Sequence, residues 1–267
     1  MSQSKVKIIS GWSDPGGSTL AHISLTNLLN DNGIDCTFHG PHEYHLDKCK
    51  SGTLDQYPGN PEDIVITHFI RFRNKIPFKK HIFSCHEKDI WSINKMIASG
   101  KQDLADYDAI HFVSNLQKEW QAIDHGDQVI IPPIVEKVSW TPPKEKVAGI
   151  IGSVDRNKQV HISINRALNG KGYDKVLVFG AINDLPYFND YVAPFVSRGK
   201  VVMVAHESDR EAMYGQISEV FHSSLSETYG LVEAECKLSG IPFNGKGNGQ
   251  EILEKEEILK RWINILK

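Results

Sequence analysis

The chain has 267 residues, which is enough for one large domain or two smaller ones that each bury a core. Hydrophobic residues make up 40% and charged residues 24%, as in ordinary soluble globular proteins, and the net charge of −3 excludes a strong overall attraction to nucleic acid or anionic membranes. The four cysteines are scattered, which argues against a zinc site or a disulfide framework, and no apolar run approaches the roughly 20 residues that span a bilayer.

The first part of the chain alternates short β-rich runs with an amphipathic stretch. The run Val-Lys-Ile-Ile at 6–9 predicts a strand that leads into a turn containing Gly16 and Gly17. Ser18 is expected to cap a helix that ends at Gly33. Further strands are predicted at 36–38, 64–66, 81–84, 109–113 and 129–131. This alternation predicts an α/β architecture with parallel sheets.

A proline-rich, charged segment interrupts the alternation. Pro132-Pro133 and the stretch 140–146 cannot form a central strand or a helix interior, which indicates a linker. We therefore predict an N-terminal domain over 1–140 and a C-terminal domain over 141–267, whose last helix can pack back on the first domain. A single larger sheet is the alternative. The second part repeats the pattern, with strands at 147–151, 175–179, 201–204 and 219–221 and helices near 159–169, 186–198, 208–217, 231–239 and 252–267.

Two glutamates in the second part lie eight positions apart. Glu227 precedes a predicted helix and Glu235 lies inside it, with Gly230 at the turn between them. A helix N-terminus binds phosphate through free backbone N–H groups, and glycine there lets the phosphate approach closely. Ionised carboxylates accept hydrogen bonds from sugar and ribose hydroxyls. The arrangement suits a nucleotide sugar, although two helix acids also occur without any ligand.

The region around these glutamates resembles the E-x7-E element of retaining glycosyltransferases with the GT-B fold, the large family 4 (group 1). That family usually reads Pro-Ser-x-x-Glu-Gly-Phe-Gly-Leu-Val-x-x-Glu-Ala-x-x-x-Gly-x-Pro. Residues 223–242 match it in order and spacing as Ser-Ser-Leu-Ser-Glu-Thr-Tyr-Gly-Leu-Val-Glu-Ala-Glu-Cys-Lys-Leu-Ser-Gly-Ile-Pro, and 205–214 resembles the family's base-binding loop and next helix. The resemblance implies two Rossmann-like domains that face each other across a cleft, with the acceptor-side domain first and the nucleotide-sugar-binding domain second.

The same resemblance implies roles for individual residues. Glu227 would orient the sugar, Glu235 would bind the ribose, and Lys158 would neutralise the diphosphate. His86, at the end of a predicted strand, would lie near the transferred sugar. We therefore predict three catalytic residues, Glu227, His86 and Lys158, and a donor-binding set of Gly16, Gly17, Arg156, Lys158, His206, Tyr229, Gly230, Leu231 and Glu235.

One family position departs from the usual pattern. The family's phosphate-binding arginine is replaced here by Ser153, and Arg156 is expected to supply the missing charge from the same loop. The segment 244–251 takes the place of the family's glycine-rich donor loop and is a residue or two shorter. The resemblance also implies transfer from a nucleoside-diphosphate sugar to a hydroxyl with retention of configuration, with no metal ion and no cofactor.

The segment Phe69–Lys80 suggests a second possible acceptor. It interleaves five cations, among them Arg71, Arg73 and Lys75, with phenylalanines, which is a pattern that can bind a polyanion and stack on bases. A solvated connection with a few buried phenylalanine anchors is the plainer interpretation. The segment keeps open transfer to hydroxymethylated bases of viral DNA.

The default expectation is an enzyme that modifies a glycan or a lipid-linked glycan. The DNA acceptor is one alternative, and a non-catalytic nucleotide-sugar-binding protein, suggested by Ser153, is another. A nicotinamide-dependent Rossmann enzyme is disfavoured because no strand leads into Gly-x-Gly-x-x-Gly. The opening residues lack the apolar segment of a signal peptide, so a cytoplasmic protein is expected, in the host cytoplasm if it is viral.

Overall fold

The computed structural model describes residues 5–57, 59–68, 77–87, 104–205, 207 and 209–267. The chain forms two compact units, termed unit 1 (Met1–Ile134 with Glu251–Lys267) and unit 2 (Val135–Gln250). Within the described ranges, no helix is both long and apolar enough to cross a membrane.

Unit 1 contains a seven-stranded sheet in the order β3-β2-β1-β4-β5-β6-β7, and every neighbouring pair of strands is parallel. The order reverses between β1 and β4, which is where open α/β sheets bind ligands at the carboxyl ends of their strands. The strands are β1 (Val6–Ser10), β2 (Cys36–Gly40), β3 (Ser51–Thr53), β4 (Ile64–His68), β5 (Lys80–Cys85), β6 (Ala109–Phe112) and β7 (Gln128–Ile130). The helices are α1 (Gly17–Asp31) and α2 (Asn115–Gln121), with 3-10 turns at Glu43–His45, Leu54–Gln56 and Leu104–Asp106.

Unit 2 contains a five-stranded parallel sheet in the order β10-β9-β8-β11-β12, which reverses between β8 and β11. Its strands are β8 (Val147–Ile151), β9 (Lys175–Phe179), β10 (Val201–Ala205), β11 (Glu219–Phe221) and β12 (Phe243–Asn244). Its helices are α3 (Val160–Asn165), α4 (Leu185–Tyr187), α5 (Ala193–Val196), α6 (Arg210–Tyr214) and α7 (Leu231–Ser239), with π-helical turns at Arg166–Gly170 and Phe188–Val192.

The last helix, α8 (Lys255–Leu266), belongs to unit 1. Its apolar residues recur at helical spacing and form one face, as in any amphipathic helix that packs on a core. Ile258 and Trp262 are buried in the same cluster as Leu28 and Leu29 of α1 and Ile82 of β5. The C-terminal segment therefore completes the hydrophobic core of unit 1.

The predicted strands and helices recur with small shifts at their ends, but two expectations are wrong. The described residues form two separate sheets, so the single-sheet alternative is excluded. Ser18 does not cap α1, because the N-cap residue is Gly16 and no side chain caps the helix. The short edge strands β3 and β12 were not predicted. Ser-Gly-Thr and Phe-Asn carry no run of β-branched residues, so only pairing with a neighbouring strand makes them β-structure.

Candidate functional site

Two loops of unit 2 meet at the point where its strand order reverses. One loop follows β8 and the other follows β11. Asn157 of the first loop joins them, since its carbonyl accepts the backbone N–H of Leu225 at 2.8 Å and its Oδ1 accepts the Ser226 hydroxyl at 2.9 Å. This contact places the predicted residues Lys158 and Glu227 side by side.

Glu227 binds two donors through one carboxylate oxygen. Its Oε1 lies 2.5 Å from Nζ of Lys158 and 2.9 Å from Nε2 of His222. Burial alone would raise the pKa of the Glu227 carboxyl, but the hydrogen bond from His222 and the Lys158 ammonium outweigh it and lower that pKa to about 2. Glu227 is therefore an ionised acceptor at neutral pH, and its second oxygen, Oε2, has no hydrogen-bond donor among the described residues.

The loop that carries Lys158 is organised by Asp155. Its carboxylate accepts the Ser153 hydroxyl at 2.5 Å and the backbone N–H of Lys158 at 2.8 Å. Arg156 points its guanidinium to Asp184, with 3.0 Å between Nε and Oδ2, and its side chain is 62% exposed. Arg156 is thus engaged with Asp184 and does not join the Lys158–Glu227 pair.

The predicted glycine turn lies at the N-terminus of α7. Gly230 is the N-cap residue and adopts a φ of 84°, in the left-handed region that glycine tolerates best. No side chain caps this end of the helix, and Leu231 is its first residue. Tyr229 is buried, with 4% of its surface exposed. The backbone N–H groups of the first turn of α7 are available in the way an anion site requires.

The glycine-rich segment 244–250 packs against the same helix end. Asn248 donates its backbone N–H to Glu233 Oε2 at 2.9 Å and its side-chain amide to the Glu227 carbonyl at 2.8 Å. A Cβ on Gly247 would lie 2.2 Å from Glu233 Oε1. Glycine at 247 therefore permits the close approach of this loop to α7.

Glu235 lies inside α7 and is almost fully buried. Its Oε1 is 2.6 Å from Nη1 of Arg210, and its Oε2 accepts the Tyr214 hydroxyl at 2.7 Å. Burial raises the pKa of the Glu235 carboxyl, and Arg210 and Tyr214 oppose that shift. Both oxygens already have one donor each, so a ribose at Glu235 would use the remaining lone pairs.

In unit 1, Gly16 is the N-cap of α1 and Gly17 is its first residue, and both follow the turn that leads from β1, near the reversal of the strand order. The φ of Gly16 is −175°, and a Cβ there would meet its nearest neighbour, the Asp14 carbonyl, at an ordinary 3.8 Å. The fold itself thus does not require glycine at position 16.

His86 follows β5 and belongs to a cluster of four histidines at the carboxyl edge of the sheet of unit 1. Its ring centroid lies 4.6 Å from that of His22, 5.2 Å from that of His68 and 5.9 Å from that of His111. Burial and these neighbouring imidazoles hold the pKa values of His22 and His86 well below the usual range. The rings of His22 and His86 are therefore neutral at physiological pH.

A narrow cavity in unit 1 is lined by three members of this histidine cluster. Its polar lining includes Ser84, His22, His86 and His111, and its apolar wall includes Trp262 of α8. His22 is 1% exposed, and neither of its ring nitrogens has a hydrogen-bond partner among the described residues. A neutral, unpartnered imidazole beside a cavity of this kind is typical of a site that holds ordered water.

Several predicted residues lie outside the described residues. They are His206 of the donor set and Arg71, Arg73 and Lys75 of the acceptor set. The DNA alternative rests on the segment Phe69–Lys80, most of which lies outside the described residues, and it stays a prediction.

The chain contains one Asp-x-Asp triplet, Asp106-Tyr107-Asp108, whose two carboxylates are of the type that binds divalent ions. It lies before β6, and Asp108 Oδ2 accepts the backbone N–H of His81 at 2.7 Å. The triplet is therefore at the amino edge of the sheet, at the opposite end of the strands from His86. Among the described residues, no group of three or more His, Cys, Asp or Glu side chains has the arrangement of a metal site.

Sequence reasoning missed His222, Arg210 and Tyr214, which contact the two predicted glutamates. His222 directly follows β11, and the carboxyl end of a parallel strand is a signal that could have identified it. Arg210 and Tyr214 lie in the segment that resembles the family, but only the packing of α6 on α7 pairs them with Glu235.

No protein-family model matches the chain, and no curated protein matches it by sequence. Solved structures do match. Alr3699/HepE from Anabaena, in complex with UDP and glucose, has a TM-score of 0.68 at 14% identity over 98% of this chain and 89% of that one. TarM has a TM-score of 0.69 at 9% identity, over 99% and 91% of the two chains. AviGT4, a glycosyltransferase involved in avilamycin A biosynthesis, has a TM-score of 0.61 at 14% identity, over 98% and 95%.

These similarities extend over nearly the whole chain at very low identity, so they concern the backbone and its topology. Two parallel sheets that each reverse order beside their first strand are common to this architecture. The chain has the GT-B fold of glycosyltransferases.

Proposed function

We propose that the chain is a glycosyltransferase that transfers a sugar from a nucleoside-diphosphate sugar to a hydroxyl acceptor with retention of configuration. The observation that carries the proposal is the Lys158–Glu227–His222 contact beside the uncapped N-terminus of α7. It combines a cation, an ionised carboxylate and free helix N–H groups in one place. Alr3699/HepE has been solved with UDP-glucose, which makes UDP-sugars the first donors to test.

In the proposed donor site, positive groups bind the diphosphate and carboxylates bind the sugar and ribose hydroxyls. Lys158 and the N-terminus of α7 stabilise the diphosphate, whose negative charge grows as the bond to the sugar breaks. Glu227 accepts hydrogen bonds from hydroxyls of the sugar, and Glu235 accepts them from the ribose. When the Lys158 ammonium binds the diphosphate, His222 remains as the donor that holds Glu227 in position.

The remaining predicted residues keep supporting roles in the proposal. Gly16 and Gly17 allow a close approach of the donor to the backbone, and His86 contacts the transferred sugar. Arg156 contributes its charge only if it leaves Asp184. The leaving phosphate itself assists the incoming hydroxyl, so no side chain is assigned as a nucleophile, and the proposed reaction needs no metal ion. The proposed acceptor is a glycan or a lipid-linked glycan.

The test compares the purified protein with its Glu227→Gln and Lys158→Met variants. Release of free nucleoside diphosphate is measured with a panel of UDP-, GDP- and ADP-sugars, each with glycan, lipid-linked and hydroxymethylated duplex DNA acceptors. We expect turnover with the wild type and a loss of at least about 100-fold in each variant, because one transition-state contact is worth about 2.7–4 kcal/mol. Glu145→Gln, at an exposed position of unit 2, is the matched control and should keep full activity.

Two results would contradict the proposal. If nucleotide sugars raise the melting temperature but no donor is consumed, the protein is a non-catalytic binder. If Glu227→Gln turns over as fast as Glu145→Gln, the role given to Glu227 is wrong. The anomeric configuration of the product, read by NMR, tests retention.

A further inference from the structure

Ser84 and His111 form a cross-strand pair beneath His86. They are direct partners in the parallel register of β5 and β6. Ser84 is 1% exposed and His111 is 3% exposed. The Ser84 hydroxyl lies 2.9 Å from Nδ1 of His111 and 3.0 Å from Nε2 of His86. One buried hydroxyl thus joins two imidazoles.

The hydrogen bond between His111 and the backbone carbonyl of Ile131 fixes which atom donates. Nε2 of His111 lies 2.8 Å from the backbone carbonyl of Ile131. A carbonyl oxygen only accepts, so Nε2 of His111 carries a proton. In a neutral imidazole the other nitrogen then has a lone pair, so Nδ1 of His111 accepts the proton of the Ser84 hydroxyl.

The same reasoning continues from Ser84 to His86. The single hydroxyl hydrogen of Ser84 is used toward His111, so its oxygen can only accept from His86. Nε2 of His86 is therefore the protonated nitrogen, and Nδ1 carries the lone pair. His86 is only partly buried, and Nδ1 forms no hydrogen bond with the described residues.

Burial and neighbouring imidazoles keep the rings of His86 and His111 neutral, as this series of hydrogen bonds requires. Burial lowers the pKa of His111 to about 4, although its hydrogen bond to the Ile131 carbonyl opposes the shift. Burial and the imidazoles of His22, His68 and His111 lower the pKa of His86 well below the usual range.

We infer that Ser84 and His111 are positioning residues that hold His86 in the tautomer protonated on Nε2, so that Nδ1 accepts a hydrogen bond from a substrate hydroxyl. This inference rests on the proposed function, which places a sugar at His86. The backbone carbonyl of Ile131 sets the tautomer through two side chains. A His86 held in this form is an acceptor toward substrate and cannot donate a proton from Nδ1.

The first measurement reads the tautomer directly and needs no activity. Two-bond 1H–15N spectra of the histidine-labelled protein at pH 7.5 distinguish imidazoles protonated on Nδ1 from those protonated on Nε2. His86→Gln identifies the His86 signals by their disappearance. We expect pure Nε2-protonated His86 in the wild type, and a mixture of tautomers in Ser84→Ala. Nδ1-protonated His86 in the wild type, or an unchanged tautomer in Ser84→Ala, would overturn the inference.

The second measurement reads the consequence for transfer. Ser84→Ala should lower kcat by about fivefold with little change in KM for the donor, because a net hydrogen bond contributes on the order of 1 kcal/mol. Ser84→Thr keeps the hydroxyl and should retain wild-type kcat, which a merely structural role for the serine would not require. Equal kcat in Ser84→Ala and the wild type would contradict the positioning role.

The two measurements separate the inference from the proposed function. If His86 has the expected tautomer but no nucleotide sugar is consumed, the tautomer assignment stands and the proposed function fails. If transfer occurs while His86 is protonated on Nδ1, the function stands and the inference fails.

Discussion

At the scale of single residues, the charge of Glu227 depends on two hydrogen-bond donors, one distant in the chain and one nearby. Lys158 is 69 positions away and His222 is five positions away, yet both reach the same carboxylate oxygen. Without them, burial would favour the protonated carboxyl, which accepts fewer hydrogen bonds. The ionised state of Glu227 thus depends on these two partners.

The first residue-scale prediction concerns His222. His222→Phe keeps a ring against Phe243 but removes the donor to Glu227. We expect sugar transfer to fall about 10- to 100-fold, because a hydrogen bond to a charged group contributes about 1.5–3 kcal/mol. His222→Gln restores an N–H donor and should recover much of the rate. Steady-state kinetics of both variants check this, and a fully active His222→Phe would disprove it.

The second residue-scale prediction concerns Arg210. Arg210→Met leaves the buried carboxylate of Glu235 with Tyr214 as its described donor. Removing one partner of a buried ion pair costs about 3–5 kcal/mol, so unfolding in urea should shift to clearly lower concentration. Arg198→Met, at an exposed position, is the control and should change stability by less than about 0.5 kcal/mol. Equal midpoints for the two variants would show that the pair contributes little.

At the scale of elements, α7 has a left-handed glycine at each end. Gly230 has a φ of 84° and Gly240 has a φ of 71°. An added Cβ would meet nothing closer than 3.4 Å at Gly230 and nothing within 4 Å at Gly240. Alanine at either position would therefore be unfavourable because of its left-handed backbone conformation, and not because of a steric clash. The two glycines can therefore serve as a matched pair of substitution sites.

This pair separates stability from donor binding. Gly230→Ala and Gly240→Ala should each lower the free energy of unfolding by about 1–2 kcal/mol, the usual penalty for a left-handed residue with a Cβ. Only Gly230→Ala should also weaken nucleotide-sugar binding, because its methyl group would lie at the N-terminus of α7, where the proposed diphosphate site is. Urea unfolding and titration calorimetry measure the two effects. Equal donor affinities in both variants would place the diphosphate elsewhere.

At the scale of the whole molecule, the described histidines with lowered pKa values belong mostly to unit 1. Burial lowers the pKa of His81 and of His111 to about 4, and His22, His39 and His86 also lie below the ordinary value. In unit 2, burial lowers the pKa of His161. The folded chain therefore binds fewer protons than the unfolded chain between the ordinary pKa of 6.5 and about 4.

This difference predicts a loss of stability on acidification. Because the unfolded state binds more protons in that interval, the free energy of unfolding falls as pH falls from 6.5 towards 4. His81 and His111 should each contribute about 1.4 kcal/mol per pH unit. Glu227, whose pKa is lowered from 4.5 to about 2, contributes stability that is lost as pH falls from 4.5 towards 2. Urea unfolding at pH 7.5, 6 and 5 checks the slope, and hydrogen exchange should show the larger loss of protection in unit 1. A flat profile down to pH 5 would contradict the lowered pKa values of His81 and His111.

The predictions from sequence succeeded where short-range patterns decide the structure. Apolar runs located β1, β4, β5 and β8, and helical spacing located α7 and α8, because burial of a strand or a helix face follows from residues a few positions apart. They failed for the cap of α1, where Gly16 lies at the position that Ser18 was expected to occupy. They also missed β3 and β12, whose short sequences become strands only through their neighbours.

The sequence by itself determined the α/β class, the alternation of strands and helices and the spacing of Glu227 and Glu235, since each of these depends on residues that are close together in the chain. Only the tertiary structure decided that Lys158 and His222 bind Glu227 and that Arg210 and Tyr214 bind Glu235. It also decided that Ser84 and His111, 27 positions apart, set which nitrogen of His86 is protonated. Hydrogen bonds have a reach of about 3 Å, and no local pattern encodes which distant side chains come within it.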